Sequence, residues 1–178
     1  STRTKMSFDA AMKRLGGDTV GFPSTEGTSV QKGETLADTV RTVGQYVDII
    51  VLRHPSEGAA KLASELLDIP VMNGGDGSAN HPTQTLLDLY TIRKELGGID
   101  GKTITLAGDL RYSRTTRSLA RALTHFDVEL ILNSPSQLKM KKDLLFELQE
   151  KGLSPTETDD LEQSMSKSDL VYATRIQK

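Results

Sequence analysis

At 178 residues the chain is long enough for one large domain or two small ones, and either can bury a core. A hydrophobic fraction of 36% and a charged fraction of 26% are those of a globular protein, and a net charge of −2 supplies no basic field for nucleic acid or an anionic membrane. Cysteine is absent, which removes disulfides, thiolate metal sites and a thiol nucleophile, and neither a membrane-length apolar run nor a signal peptide is present.

The chain opens on Ser1-Thr2-Arg3-Thr4 without an initiator Met and stops at Lys178 just after an apparent strand, so an internal piece of a longer protein is the expectation, with a cytoplasmic location as the default. Phe8, Ala11, Met12 and Leu15 fall on one face of a helix that Gly16-Gly17 would stop. Residues 19–22 are short and strand-compatible. After a polar loop, Leu36, Val40, Val43 and Val47 give a second helical stripe, and residues 48–52 form a continuous apolar run, the mark of a strand buried on both faces. A helix over residues 57–67 and a strand over 69–72 follow. Gly74-Gly75-Asp76-Gly77 reads as a flexible loop leading to Pro82, which suits the first turn of a helix running to about Leu96 with Leu86, Leu89, Tyr90 and Arg93 along it. Gly97-Gly98 ends it, and Asp100-Gly101 makes a turn. Beyond it, strands are expected over 103–107, 128–132 and 169–173, with helices over 113–124, 137–151 and 161–166.

Strands alternating with helices predict an α/β fold with parallel sheets and right-handed crossovers. The glycine-rich turn at 97–101 divides it into two such domains, 1–97 and 98–178.

In open α/β sheets ligands bind beyond the carboxyl ends of the strands, so the polar residues there carry the chemistry. Ser1, Thr2, Arg3 and Thr4 bring three hydroxyls and a guanidinium to a helix start, which makes either a phosphate site or an ordinary cap followed by a surface arginine. Ser29 and Lys32 lie on a loop ending in Gly33, and a solvated loop is the plain alternative. Arg53 follows an apolar strand, where it can hold phosphate or a carbonyl oxygen or form a structural salt bridge. The segment from Gly77 to Gln84 places an imidazole (His81), an amide and a hydroxyl at a loop-to-helix junction. There the helix dipole favours neutral imidazole. Arg111 and Arg114 again follow a strand and open a helix, and Arg175 follows the last strand. The three-glycine dinucleotide fingerprint and any metal-ligand cluster are missing, so neither nicotinamide nor metal is expected. Several arginines at strand ends imply a substrate rich in anionic oxygens.

The segments STRTKMSF, KGETLADT, VLRHP, GDGSANHPTQTLLDLY, GDLRYSRTTRSLARAL and VYATRIQK, in this order and spacing, resemble the aspartate carbamoyltransferase family over essentially the whole chain. The first tetrad and the HP-x-Q core are shared with ornithine carbamoyltransferases, whereas KGETLADT, YSRT and TRIQK resemble the aspartate branch. Arginines suit the two carboxylates of aspartate and would repel the side-chain cation of ornithine.

The resemblance implies transfer of a carbamoyl group from carbamoyl phosphate to L-aspartate, an early step of pyrimidine synthesis, with no cofactor and no metal. It assigns the phosphate to Ser1, Thr2, Arg3, Thr4 and Arg53, and the carbamoyl oxygen to Thr4, Arg53 and His81, the catalytic set. Gln84 falls to the carbamoyl amino group. The α-carboxylate falls to Arg114, and the side-chain carboxylate to Arg175 and Gln177. Ser29 and Lys32, the latter also on aspartate, would reach in from a neighbouring subunit of a homotrimer, with room for regulatory chains and no part for nucleic acid or membrane. Closure of the domains would exclude water. Many relatives carry glutamine where this chain has Asn80. By the same resemblance, the opening part of the first domain and the closing part of the second are missing. Another amine acceptor such as ornithine, and a non-catalytic carbamoyltransferase-like binder, are the alternatives.

Overall fold

The computed structural model describes residues 2–22, 24–77 and 80–175, in an alternating α/β arrangement that falls into two compact units, Ser1–Gly77 and Ser78–Lys178. Ser1, Pro23, Ser78, Ala79, Ile176, Gln177 and Lys178 lie outside the described residues.

In the first unit, helix α1 (Thr2–Arg14), a 3-10 turn (Ser29–Lys32) and helix α2 (Leu36–Gly44) precede strand β1 (Ile50–His54), helix α3 (Ala59–Leu66) and strand β2 (Val71–Asp76). β1 and β2 pair in parallel, Ile50 opposite Val71 and Leu52 opposite Asn73. Thr35 starts α2 by accepting the Asp38 amide on its hydroxyl, which satisfies one of the orphan N–H groups of a first turn. The small side chains Ala59, Ala60 and Ala63 are buried on α3 and let it sit close to the strands.

Several expectations shift here. Residues 19–22 are irregular rather than extended, and the Thr19 amide bonds the Asp18 carboxylate instead of a neighbouring strand. The apolar run 48–52 was expected to be buried on both faces; β1 starts two residues later and alternates, Ile50 buried and Val51 exposed, because it pairs with β2 alone among the described residues. β2 begins at Val71, two residues into the predicted 69–72, and runs on through the glycines read as a loop. Gly74 and Gly75 are buried strand residues, and a Cβ at Gly74 would lie in van der Waals contact with the Leu52 carbonyl at 3.4 Å. The α1 stripe is only partly used, with Phe8 and Met12 half-buried and Leu15 exposed.

The second unit contains α4 (Pro82–Leu96), β3 (Lys102–Ala107), α5 (Arg114–Leu123), β4 (Val128–Asn133), α6 (Lys142–Glu150), β5 (Thr156–Thr158), α7 (Leu161–Lys167) and β6 (Leu170–Ala173). Its sheet has the order β5-β4-β3-β6, all parallel, and α4 packs on α5. The chain winds outward from β3 through β4 to β5, then returns to the other side of β3 as β6. The carboxyl ends of β3 and β6 therefore flank the point where the winding reverses, the place where such sheets bind ligands.

The predicted helix over 137–151 is two pieces, a 3-10 turn (Ser136–Leu138) and α6, separated by a stretch in which Met140 is buried in the core. α4 matches its predicted length but not its predicted face. Thr85 and Ile92 are buried, Leu89 and Leu96 pack on the core, and Leu86 and Tyr90 are exposed.

Ile104 and Leu106 of β3, Leu119 and Leu123 of α5 and Leu148 of α6 are fully enclosed. Truncating one of them loses transfer free energy and leaves a cavity. Leu119→Ala is therefore expected to cost about 3 kcal/mol, read as a lowered thermal midpoint of the full-length protein.

Candidate functional site

The predicted residues in the first unit converge at the head of α1. The helix begins at Thr2, so Thr2, Arg3 and Thr4 occupy its first turn rather than preceding it, among the N–H groups that have no intrahelical partner. Arg53, the penultimate residue of strand β1, donates from Nη1 to the Thr4 hydroxyl at 2.8 Å across 49 residues of sequence. Two separately read signals thus form one cationic, hydroxyl-bearing surface, with Arg3 and Arg53 exposed and Thr4 half-buried. Ser1 lies outside the described residues.

The loop after Arg53 is tied down by its own chemistry. The Gly77 amide donates to the His54 carbonyl at 2.9 Å, and the Ser56 amide donates to His54 Nδ1 at 3.0 Å. Asp76, 5% exposed, accepts from the Gly58 amide and from Asn73 Nδ2, each at 3.0 Å. Gly77 has φ +49°, and a Cβ there would sit 2.8 Å from the Pro55 carbonyl, so only glycine lets the two loops approach. Residues 74–77, expected to be a flexible loop, are the brace that holds Arg53 in place.

Ser29 and Lys32 are exposed on the 3-10 turn that Gly33 closes at φ 95°. No hydrogen bond or ion pair joins either to Thr4 or Arg53 among the described residues.

In the second unit His81 caps α4 and Pro82 opens it, as predicted. The His81 amide donates to the Ser118 hydroxyl at 3.2 Å, which fastens the head of α4 to α5. Ser118 was not singled out in the sequence, where it is one more polar residue of a helix. One turn on, Gln84 donates from Nε2 to Asp88 Oδ1 at 2.9 Å. Asp88 Oδ2 is buried and lacks a hydrogen-bond partner among the described residues. Burial pushes the Asp88 carboxyl above the usual carboxylate range, against the hydrogen bonding of Gln84 and Tyr172, which lowers it. The Tyr172 hydroxyl comes near enough to influence that ionisation without completing a hydrogen bond to Oδ2. Burial also raises the Tyr172 phenol; the Thr115 hydroxyl opposes this and the Asp88 charge adds to it.

Arg114 is the first residue of α5 and half-buried. Its helix is capped by Ser113, whose hydroxyl meets Thr115 Oγ1 at 3.1 Å and accepts from Thr174 Oγ1 at 3.3 Å. Asp109, fully enclosed, accepts the Tyr112 amide at 2.9 Å and shapes the turn between β3 and α5. Thr174 follows β6 and donates its amide to the Ala107 carbonyl at 2.8 Å, so Arg175 leaves the sheet beside the loop that carries Arg114. Arg175 is exposed, and Gln177 lies outside the described residues. Hydrogen bonds thus join Gln84 to Asp88 and, in a second set, Thr115 and Thr174 to Ser113, while Tyr172 lies near enough to both sets to respond to Asp88 and Thr115.

Residues 1–94 match the family model "Aspartate/ornithine carbamoyltransferase, carbamoyl-P binding domain", and residues 100–178 match "Aspartate/ornithine carbamoyltransferase, Asp/Orn binding domain". The chain is 60% identical over its whole length to the aspartate carbamoyltransferase catalytic subunit of Thermococcus kodakarensis, covering 57% of that protein. It is 55% identical to the corresponding subunit of Haloquadratum walsbyi, covering 58%. Among solved structures, the catalytic subunit of M. jannaschii aspartate transcarbamoylase superposes with a TM-score of 0.92 at 52% identity, over all of this chain and 58% of that one. The Trypanosoma cruzi enzyme in complex with carbamoyl phosphate and aspartate gives 0.91 at 45% identity, over 99% of this chain and 57% of that one. The chain thus spans under three fifths of the length of these relatives. With both domain models matched in order and the parallel α/β fold shared with solved relatives, this chain belongs to the aspartate/ornithine carbamoyltransferase family.

Proposed function

We propose that the full-length protein transfers the carbamoyl group of carbamoyl phosphate to the amino group of L-aspartate, giving N-carbamoyl-L-aspartate and phosphate in pyrimidine synthesis. The observation that carries this reading is the 2.8 Å bond from Arg53 to Thr4, which makes one anion site of two distant segments. The relatives named above, called aspartate carbamoyltransferase catalytic subunits, support the choice of acceptor.

Thr2, Arg3, Thr4 and Arg53, with Ser1, take the phosphate. The neutral amine of aspartate attacks the carbonyl carbon, the oxygen gathers negative charge, and the C–O bond to phosphate breaks as the tetrahedral intermediate collapses, one proton of the attacking nitrogen passing to the departing phosphate. Thr4, Arg53 and a neutral His81 donate to that oxygen, where preorganised donors lower a barrier most. Gln84 holds the carbamoyl amino group. Arg114 takes the α-carboxylate, and Arg175 with Gln177 takes the β-carboxylate. Gathering two anions and fixing the amine near the carbonyl supplies the rest of the acceleration. Ser29 and Lys32 serve the site of a neighbouring subunit in a cytoplasmic homotrimer, to which regulatory chains can bind.

Arg175→Ala tests the acceptor assignment. In the full-length protein it is expected to raise KM for aspartate roughly tenfold to a hundredfold, the loss of one charge-assisted pair, with KM for carbamoyl phosphate within about twofold of wild type. Equal losses for both substrates would remove Arg175 from the aspartate site.

A further inference from the structure

Gln84 has a task that an unrestrained amide performs badly. The carbamoyl amino group is a hydrogen-bond donor, so the residue that reads it must offer its carbonyl oxygen. A glutamine side chain can turn over and present its NH2 group instead. In this structure Gln84 Nε2 is bonded to Asp88 Oδ1 at 2.9 Å, one helical turn along α4. An ionised carboxylate only accepts, so it holds the nitrogen end of the amide and leaves Oε1 facing away from Asp88.

We propose that Asp88 is a positioning residue that fixes the amide orientation of Gln84 and thereby makes the site select an acyl phosphate bearing an amino group over one bearing a methyl group. This rests on the assignment of Gln84 to the carbamoyl amino group and deepens it by naming what enforces the selection.

Asp88 is kept there at a cost to the fold. Its Oδ2 is buried without a hydrogen-bond partner among the described residues, and the neighbouring groups are Gln84 on its own helix and the Tyr172 phenol on β6, itself in contact with Thr115 of α5. Burial raises the Asp88 carboxyl above its ordinary value. A raised folded-state value means the stability contribution is complete below the ordinary carboxylate range and is lost as pH rises through the folded value. Above its folded-state value the ionised Asp88 therefore weakens the fold, as expected of a group retained for function.

The test uses the full-length protein and two probes, carbamoyl phosphate and acetyl phosphate, which differ at the amino group. Asp88→Asn keeps the shape but lets the amide pair form in either sense. It is expected to weaken carbamoyl phosphate about tenfold, the scale of one lost hydrogen bond, with acetyl phosphate unchanged within about twofold. The thermal midpoint at pH 7 is expected to stay at or above that of wild type. Asp88→Ala, which removes the acceptor, must lose the same preference. In a Gln84→Ala background Asp88→Asn must have no further effect on the preference. Parallel weakening of both probes, or an unchanged preference in either Asp88 variant, overturns the proposal. A wild-type protein that binds neither probe overturns the reading of the site, and the proposal with it.

Discussion

Replacing Arg53 with alanine in the full-length protein is expected to lower kcat roughly 10²–10³-fold, the scale seen when one donor to a developing oxyanion is removed. The side chain is exposed near the end of β1, and its bond to Thr4 connects β1 to the head of α1. On the proposed assignment its loss removes a cation from the phosphate, and it frees the Thr4 hydroxyl to turn away. The fold is expected to persist, because the loop behind Arg53 is held separately by Asp76, by the His54 carbonyl and by the close approach at Gly77. Steady-state kinetics with a thermal melt separate the two effects. A variant within about threefold of wild type in kcat would show that Arg53 is a surface arginine with a structural partner.

The second large effect is expected at Gly108, which joins β3 to the loop bearing Arg114. It has φ 110°, and an added Cβ would collide with the Thr174 carbonyl oxygen, which is backbone and cannot swing aside. Gly108→Ala combines backbone strain of ~1–3 kcal/mol with overpacking of similar size. The total expected is roughly 2–6 kcal/mol, with KM for aspartate raised because Thr174 immediately precedes Arg175. Gly98→Ala is the control. A Cβ there meets nothing within 4 Å and no positive φ opposes it, so less than about 1 kcal/mol is expected. Similar thermal midpoints for the two variants would contradict the packing at the β3–β6 edge.

Much of this architecture was legible because its signals are local. Pro82 and Gly97 bound α4 at the residues expected, and Ser113 caps α5 where the helix was predicted to begin. The errors arise where a partner decides. The sequence pointed to Leu86, Leu89, Tyr90 and Arg93 along α4, but packing on α5 and the core selects Thr85, Leu89 and Ile92 as the inner face. Glycines 74 and 75 look like loop formers in sequence and are buried strand residues in the fold, where pairing with β1 decides. Met140 interrupts a helical stripe because it turns into the core between a 3-10 turn and α6.

The site shows the same division. Arg53, His81, Gln84, Arg114 and Arg175 stand out because polar residues at strand ends are informative in α/β folds. Asp76, Asp88, Ser118 and Tyr172 do not, because their roles are to hold other residues and depend on contacts between elements. The i, i+4 spacing of Gln84 and Asp88 was the one local clue to the latter group.

The most direct test of the function is to incubate the full-length protein with carbamoyl phosphate and either L-aspartate or L-ornithine and to measure ureido product. Product with aspartate and none with ornithine is the expected result. Product with ornithine alone would contradict the assignment of Arg114 and Arg175 to two carboxylates, and absence of product with both would contradict a catalytic role for Thr4, Arg53 and His81.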